Sequence, residues 1–220
     1  MASGKDDSII GHTKGKIGPV TLTTWKKLNI VKSNIARKPG TKQSEKQILQ
    51  NEIFRLILQF FAPAKPVIDT GFQLPKNISK TQMNLASSFH MKNAIINVED
   101  KCYIDLTKVK FSQPIKLTQQ AWNIALTAEE GRKIIITWEL NPYPQKCSQE
   151  DDEVMIVIYN RNEDLYLVNW AVGRRDALTY TYLADKKHMG HDLFCYMFIA
   201  SANGKLISET EYLGMVTVST

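Results

Sequence analysis

The spacing of hydrophobic residues divides the chain into two parts with different periods. Between residues 41 and 98, apolar residues recur every three or four positions, which predicts helices. From Lys101 onward, apolar and polar residues alternate, which predicts β-strands. We therefore expect an α+β, mainly β protein, with a basic arm, a short hairpin and helices in residues 1–98 and a β-sandwich in residues 99–220.

The first predicted helix carries an apolar stripe that is wider than one packed face requires. Thr41 or Ser44 is positioned to cap it, and Pro63 and Pro66 follow it. We expect the centre of the stripe to face the protein's own core; it consists of Ile53, Leu56, Ile57 and Phe60. Three apolar residues widen the stripe, and we expect them to form an assembly interface: Phe54, Leu58 and Phe61. A second helix is predicted from about Lys80 to Asn93.

Short alternating segments predict nine strands in the second part of the chain. They are Tyr103–Phe111, Ala121–Thr127, Lys133–Leu140, Glu153–Asn160, Leu165–Val172, Ala177–Leu183, Leu193–Ala200, Lys205–Tyr212 and Met215–Val218. The pair Asn203-Gly204 is typical of a type I′ hairpin turn. Strands at this regular spacing favour an immunoglobulin- or fibronectin-like antiparallel sandwich. A closed barrel is the alternative.

The positive charge is concentrated near the N-terminus. The chain carries a net charge of +6, whereas residues 1–46 hold ten Lys/Arg and three Asp/Glu, a net charge of +7, and the remainder sums to −1. A basic segment on a near-neutral body is expected to contact an acidic protein surface or nucleic acid. The candidate binding residues of this segment, which also contains a predicted hairpin, are Lys14, Lys16, Trp25, Lys26, Lys27, Lys32, Arg37 and Lys38.

No combination of residues along the chain indicates a catalytic, cofactor or metal site. His188 and His191 have a spacing that metals use, but we expect a solvated loop because no third ligand is identifiable nearby. The acidic run Glu150–Glu153 is likewise expected to be solvated. Three scattered cysteines without a CxxC spacing indicate packing residues in a reducing compartment. We therefore predict a protein that is not an enzyme.

The chain shows neither a secretory signal nor a segment that could span a bilayer. Its most apolar run, Ile53–Ala64, is interrupted by polar residues and is too short. The expected location is the cytoplasm, or a phage or tail-like particle assembled there, with no membrane contact.

Several short motifs resemble an uncharacterised family of bacterial and phage-associated proteins that is known only as a domain of unknown function. Near the N-terminus they are Gly15-Lys16-x-Gly18-x-Val20, Trp25-Lys26 and Lys32-Ser33. Further along they are Gly71-Phe72, Lys92-Asn93-Ala94 and Tyr212-Leu213-Gly214-x-Val216-Thr217-Val218. The chain departs from the pattern at Lys27, where Gly is usual, and at Lys32, where Arg is common. The resemblance implies no known reaction and no catalytic residues.

Three functions are compatible with these features. The first is a structural or assembly protein, such as a component of a phage virion or tail-like particle, which docks to other subunits through the basic arm and the apolar helix. The second is a nucleic-acid-associated protein that binds phosphates through the arm. The third is a sandwich that binds a glycan or small molecule on an aromatic platform formed by Trp122, Trp138, Trp170 or Tyr143.

Overall fold

The computed structural model describes residues 2–4, 14–25, 28–34, 42–75, 79–98 and 101–219. These residues form strands and helices that confirm the mainly β, α+β class. The strands are β1 (Ala2–Gly4), β2 (Gly15–Ile17), β3 (Val20–Trp25), β4 (Leu28–Ser33), β5 (Ile95–Val98), β6 (Lys101–Ile104), β7 (Trp122–Glu129), β8 (Lys133–Glu139), β9 (Glu153–Asn160), β10 (Leu165–Arg174), β11 (Thr179–Leu183), β12 (Asp192–Ala200) and β13 (Glu211–Thr217). The helices are α1 (Glu45–Phe61), α2 (Lys65–Gly71) and α3 (Gln82–Asn93).

The chain divides into two compact units, residues 1–47 and residues 48–220. This division differs from the boundary expected after residue 98. The reason is that the helices of residues 48–93 share a core with the sandwich, so they belong to the same unit. The helical period and the strand period therefore mark layers of one unit and not two domains.

The N-terminal unit is an antiparallel sheet with the strand order β1-β4-β3-β2. The predicted hairpin is confirmed, because β3 pairs with β4 from Val20 opposite Ser33 to Trp25 opposite Leu28. Asn34 fastens the other end of this hairpin. Its backbone N–H donates to the carbonyl of Pro19, and its side-chain amide donates to the carbonyl of Gly18 over 3.1 Å.

The second unit contains an antiparallel sandwich of two sheets, ordered β10-β9-β12-β13 and β11-β8-β7. If strands β7 to β13 are lettered A to G in chain order, the two sheets have the orders D-C-F-G and E-B-A. Constant-type immunoglobulin domains have the same A-B-E and C-F-G pairings, with the fourth strand beside strand E. Here the fourth strand, β10, pairs with β9 on the C-F-G sheet. The predicted immunoglobulin-like sandwich is confirmed.

The two sheets enclose a core of side chains from the inner face of each strand. Alternate residues of β8, β9 and β12 fill it and are fully or almost fully buried: Ile134, Ile136, Trp138, Val154, Ile156, Ile158, Leu193, Cys195, Met197 and Ile199. Trp138 supplies the large aromatic ring, and its Nε1–H donates to the carbonyl of Arg175 over 2.8 Å. The alternation of β8 therefore marks one packed face, whereas β9 and β12 are buried on both faces.

The outer face of the four-stranded sheet is buried as well, under the helices. The intervening residues of β9 and β12 pack against them: Met155, Val157, Tyr159, Phe194, Tyr196 and Phe198. The helical side of this second core consists of Ile57, Phe60, Phe61, Ala64, Val67, Ile68, Phe72 and Ala86. Hydrogen bonds from Tyr166 Oη to the carbonyl of Phe60 (3.0 Å) and from Asn169 Nδ2 to that of Pro63 (3.1 Å) attach the helical layer to β10.

The helix ends follow local capping rules. Ser44 is the predicted cap of α1: its Oγ accepts the N–H of Gln47, while the Gln47 side chain accepts the N–H of Ser44. The second predicted helix is confirmed as α3, and Thr81 caps it by accepting the N–H of Asn84 over 3.1 Å. Helix α2 was not predicted. Pro66 lies in the first turn of α2, where a backbone N–H would have no partner within the helix. The missing N–H of proline therefore costs nothing there, and Pro66 is compatible with the start of a helix.

Two strand predictions in the sandwich part of the chain are wrong. The segment Tyr103–Phe111 is extended only to Ile104, because Asp105 then accepts the N–H of Thr107 and starts a 3₁₀ turn. Only Glu211 and Tyr212 of the segment Lys205–Tyr212 lie in a strand, where β13 begins, and the residues before them form a loop with isolated bridges at Ile207. Asn203-Gly204 does not form a type I′ turn. That turn needs a positive φ at both residues, whereas only Gly204 has one (66°).

The predicted solvated acidic run contains a buried ion pair. Asp152 and Arg175 are 1% and 3% exposed, and Arg175 Nη2 lies 3.0 Å from Asp152 Oδ2. The same Nη2 donates to the carbonyl of Gln119 over 2.6 Å. The backbone N–H of Gln149 donates to the Asp152 carboxylate, and the hydroxyl of Thr118 lies 3.4 Å from it. Asp152 is therefore buried and paired, so the expectation of a solvated run was wrong for Asp152.

The approach of α2 to the chain after β6 leaves no room for a side chain at Gly71. A Cβ on Gly71 would lie 2.1 Å from the carbonyl oxygen of Phe111. We predict that Gly71→Ala lowers the free energy of unfolding by at least about 2 kcal/mol, since backbone must move. Gly173→Ala is the matched control, because its nearest neighbour is a Cβ at 3.8 Å. Urea denaturation checks this, and equal effects of the two substitutions would contradict it.

His90 is a neutral histidine buried between α3 and the chain that follows β6. Its Nδ1 lies 2.7 Å from the carbonyl of Ala86, and its Nε2 accepts the N–H of Lys110. Burial lowers the pKa of His90 from 6.5 to about 4. The unfolded chain therefore takes up this proton first as the pH falls.

We predict that His90 makes the folded state less stable at acidic pH. Between pH 6.5 and 4, the free energy of unfolding should fall with decreasing pH by roughly 3 kcal/mol through this residue alone. His90→Gln should be less stable than the wild type at pH 7 and should lose less stability over this pH interval. Denaturation at a series of pH values tests this, and parallel curves for the two proteins would contradict it.

Candidate macromolecule-binding surfaces

Only the C-terminal half of α1 packs into the core of the second unit. Every residue from Glu45 to Glu52 is exposed, including the apolar Ile48 and Leu49. The buried residues of the helix are Ile57, Phe60 and Phe61, and Ile53 packs partly against them. The first two turns of α1 thus present large apolar side chains to solvent.

The predicted assembly residues of α1 have different environments. Phe54 is 45% exposed, Leu58 is half-buried, and Phe61 is fully buried. Assigning Phe61 to an assembly interface was wrong: its ring lies 4.8 Å from that of Phe60 and 4.3 Å from that of His90. At 100° per residue, the buried face is centred roughly 40° further round the helix than the sequence pattern indicated. Phe61 is therefore inside, and Leu56 is only half-buried.

Phe54 lines a groove between α1 and α3 with a volume of about 500 Å³. The opposite wall comes from one face of α3 and includes Met91, whose sulfur lies 4.0 Å from Gln50 Nε2. The lining residues are Gln50, Phe54, Asn84, Ser87, Ser88, Met91 and Lys92, and none of these is acidic. The groove combines an exposed aromatic ring, a flexible thioether and polar groups, which suits a protein segment.

Ser87 gives this groove an unused hydrogen-bonding group. The residue is 3% exposed, and its Oγ has no hydrogen-bond partner. An unpaired buried hydroxyl costs free energy that a bound acceptor or donor would recover. Sequence reasoning missed Ser87 and Met91, since the spacing of α3 indicated an inner face of Met83, Leu85, Ala86, Phe89 and Ala94.

Three of the predicted arm residues share one face of the N-terminal sheet. Lys16 pairs with Thr21, and Thr21 pairs with Lys32, so the two lysines flank Thr21 on the same face. Side chains two strands apart are about 10 Å from each other. Trp25 lies four residues beyond Thr21 on β3, about 14 Å away and on this same face. All three residues are exposed.

The other arm residues are placed only in part. Lys14 is exposed and precedes β2. Lys26, Lys27, Arg37 and Lys38 lie outside the described residues. Register thus brings Lys16, Lys32 and Trp25 onto one surface, while the position of half of the predicted arm residues stays untested.

The predicted aromatic platform is divided by burial. Trp138 is 2% exposed and belongs to the sandwich core. Trp122, Trp170 and Tyr143 are exposed and lie on β7, on β10 and on the loop before β9. Trp138 therefore cannot join an exposed platform, whereas the other three residues stay candidates for one.

The cysteine that packs in the sandwich core is poorly suited to nucleophilic chemistry. Cys195 is fully buried, and burial raises the pKa of its thiol to about 12. A thiol is nucleophilic as the thiolate, so Cys195 stays protonated and acts as a packing residue. Cys102 and Cys147 are half-buried and unpaired by disulfides.

The model of a family described as a family of unknown function (DUF6266) matches residues 12–214. The chain belongs to this family. The match spans the N-terminal sheet, the helices and the sandwich, as the motif resemblance indicated. No curated protein matches the chain.

Several residues that carry the family resemblance have structural roles. Gly18 lies in the turn between β2 and β3 with a φ of 54°, which favours glycine. Gly71 makes the close approach to Phe111, and Phe72 beside it is buried in the helical core. Gly214 has a φ of 130° in β13, next to the irregularity opposite Cys195 and Tyr196. These family motifs therefore maintain the fold.

None of the helices in the described part of the chain has both the length and the hydropathy that crossing a membrane requires.

Phe54 and Phe61 provide a matched test of the two sides of α1. We predict that Phe61→Ala lowers the free energy of unfolding by about 3–5 kcal/mol, because it opens a cavity in the helical core. Phe54→Lys should change it by less than about 1 kcal/mol, because the ring is exposed. Chemical denaturation of the full chain measures both values. A loss of stability in Phe54→Lys as large as in Phe61→Ala would contradict the assignment of α1 faces.

Proposed function

We propose that this protein is a non-enzymatic structural or assembly protein that docks to another protein subunit. The groove between α1 and α3 receives a segment of that subunit, and Phe54 is the central contact. The sandwich and its helical layer form the rigid body that presents this groove.

The observation that carries the proposal is the pairing of exposed apolar surface with an unused polar group. Phe54 is exposed beside Met91, and Ser87 has a buried hydroxyl without a partner in the same groove. Exposed aromatic rings next to polar groups are typical of protein-binding sites. Lys92 is the one charged residue that lines the groove, which favours a neutral or acidic protein segment over a nucleic acid backbone running through a helical groove.

The exposed first turns of α1 extend the proposed docking surface. Ile48 and Leu49 are 45% and 39% exposed, and a free monomer gains nothing from their exposure. The motif resemblance to phage-associated proteins supports a more specific role as a component of a virion or tail-like particle. In this role the protein would act in the cytoplasm or in the particle assembled there.

A photo-cross-linking amino acid at position 54 tests the proposal in the cells that normally make the protein. p-Benzoylphenylalanine in place of Phe54 should yield one discrete adduct with a particle subunit or with a second copy of this chain. Mass spectrometry of the adduct distinguishes these two. The same amino acid in place of Tyr143, which is 80% exposed and lies outside the groove, is the matched control. Identical adduct patterns at both positions, or none at position 54, would overturn the proposal.

A second candidate function is nucleic-acid binding by the basic face of the N-terminal sheet. Lys16 and Lys32 flank Thr21 on this face, and Trp25 shares it. Lysines bind phosphates without reading bases, and a tryptophan can stack on an unpaired base. This candidate concerns the N-terminal unit and is independent of the groove.

Salt dependence tests the phosphate contacts of this second function, and matched charge variants distinguish the face from a non-specific effect of charge. If the face binds nucleic acid, the logarithm of the association constant for a single-stranded oligonucleotide should fall linearly with the logarithm of salt concentration, by about 0.7 per phosphate contact. Lys16→Glu/Lys32→Glu should abolish binding, whereas Lys116→Glu/Lys133→Glu, with the same change in charge at exposed positions, should not. Equal losses in both double variants, measured by fluorescence anisotropy, would contradict a specific face.

A further inference from the structure

Two loops of the sandwich meet where β9 ends and β12 begins. The turn after β9 contains Glu163, and the segment before β12 contains His188 and His191. Backbone hydrogen bonds hold the loops together, since the N–H of Arg161 donates to the carbonyl of Asp192 over 3.2 Å. The side chain of Asn162 in turn accepts the N–H of Asp192 over 2.9 Å.

The meeting of these loops brings three metal-ligating side chains to one point. His188 Nδ1 lies 3.5 Å from Glu163 Oε2, and His191 Nδ1 lies 3.9 Å from Glu163 Oε1. The ligand atoms of all three residues lie within 4.8 Å of one another. Within the described residues, this is the group of three or more such side chains that could hold a metal ion. The expectation of a solvated loop is wrong for His188, which is 2% exposed.

The hydrogen bonds of Asn160 determine which atoms of the two histidines carry lone pairs. Asn160 is fully buried, and its Oδ1 accepts the N–H of Asn162, which fixes the orientation of the side-chain amide. Its Nδ2 lies 3.2 Å from His188 Nδ1 and 3.0 Å from His191 Nδ1. An amide nitrogen only donates, so both Nδ1 atoms present lone pairs to it. These two lone pairs accept from Asn160 and lie beside the Glu163 carboxylate, so a cation that enters here competes with the two Asn160 N–H groups.

The spacing of the ligand atoms suits a tetrahedral ion. Ligands at about 2.0–2.2 Å from a tetrahedral zinc ion lie about 3.4 Å from one another. The two histidine–glutamate distances involve different oxygens of Glu163 and exceed this value by up to about 0.5 Å, and the whole set of ligand atoms spans up to 4.8 Å. The exposed Glu163 side chain and the loops must therefore close around a bound ion. Two imidazoles and one carboxylate are a donor set that zinc uses with a fourth, open position.

We propose that Glu163, His188 and His191 form a binding site for a divalent zinc-class ion, which joins the two loops at this end of the sandwich. The ion competes with Asn160 Nδ2 for the two Nδ1 lone pairs and balances the charge of Glu163. Because it binds only when the loops are in place, it stabilises the folded state. This inference does not depend on the proposed docking function.

Calorimetric titration of the full-length, tag-free, chelator-treated chain with Zn²⁺ tests the site. We expect one ion per chain and a rise in Tm of about 5–10 °C at a Zn²⁺ concentration near 100 times Kd. Glu163→Gln and His191→Gln affect half-exposed side chains and should still fold. Each substitution should weaken Zn²⁺ binding by about 100-fold or more. Even the loss of a residue that only hydrogen-bonds a metal ligand lowers metal affinity about 10- to 100-fold.

Two controls exclude other sources of binding. Cys102→Ser/Cys147→Ser removes the half-buried thiols, and His12→Gln removes a histidine from the N-terminal part of the chain; both proteins should bind Zn²⁺ like the wild type. Substituting Co²⁺ should give the visible absorption of a tetrahedral ion in the wild type and not in His191→Gln. The proposal is overturned if the wild type does not bind Zn²⁺ in a ratio of one ion per chain. It is equally overturned if both ligand variants retain full affinity, or if the cysteine variant loses it.

Discussion

The fold depends on a central sheet whose two middle strands are buried on both faces. All residues from Val154 to Asn160 and from Leu193 to Ala200 are buried. Each apolar side chain removed from water contributes about 1.5–3 kcal/mol, but only if something covers it. The three-stranded sheet covers one face and the helices cover the other. Neither layer is optional, which explains why the helical segment and the sandwich form a single unit.

This constraint also accounts for the surface that α1 leaves open. The helix can contribute to the core only where it lies over the sheet, and that is its C-terminal half. Phe60, Phe61 and the neighbouring His90 are fixed there, together with the glycine that lets α2 approach Phe111. The apolar residues nearer the start of α1 have no sheet beneath them. Their exposure follows from the length of the helix relative to the sheet.

Buried polar residues anchor both ends of β9. Asp152 precedes the strand and pairs with Arg175, while Asn160 ends the strand and contacts both loop histidines. Each polar group holds loops that come from distant parts of the sequence. Such networks specify loop positions more sharply than apolar packing does, because an unpaired buried polar group is costly. The candidate metal site lies at one of these two ends.

The sequence by itself determined what depends on local spacing. Apolar segments of strand length predicted β9 and β12, period 3.6 predicted α1 and α3, and Thr41 or Ser44 marked the start of α1. The motifs also indicated the family. Local spacing could not show the partner of each face: α1 is rotated so that Phe61 is inside, and Glu163 lies beside His188 although 24 residues separate them in the chain. These outcomes required the tertiary structure, because burial and ligand geometry depend on residues that are close in space and distant in sequence.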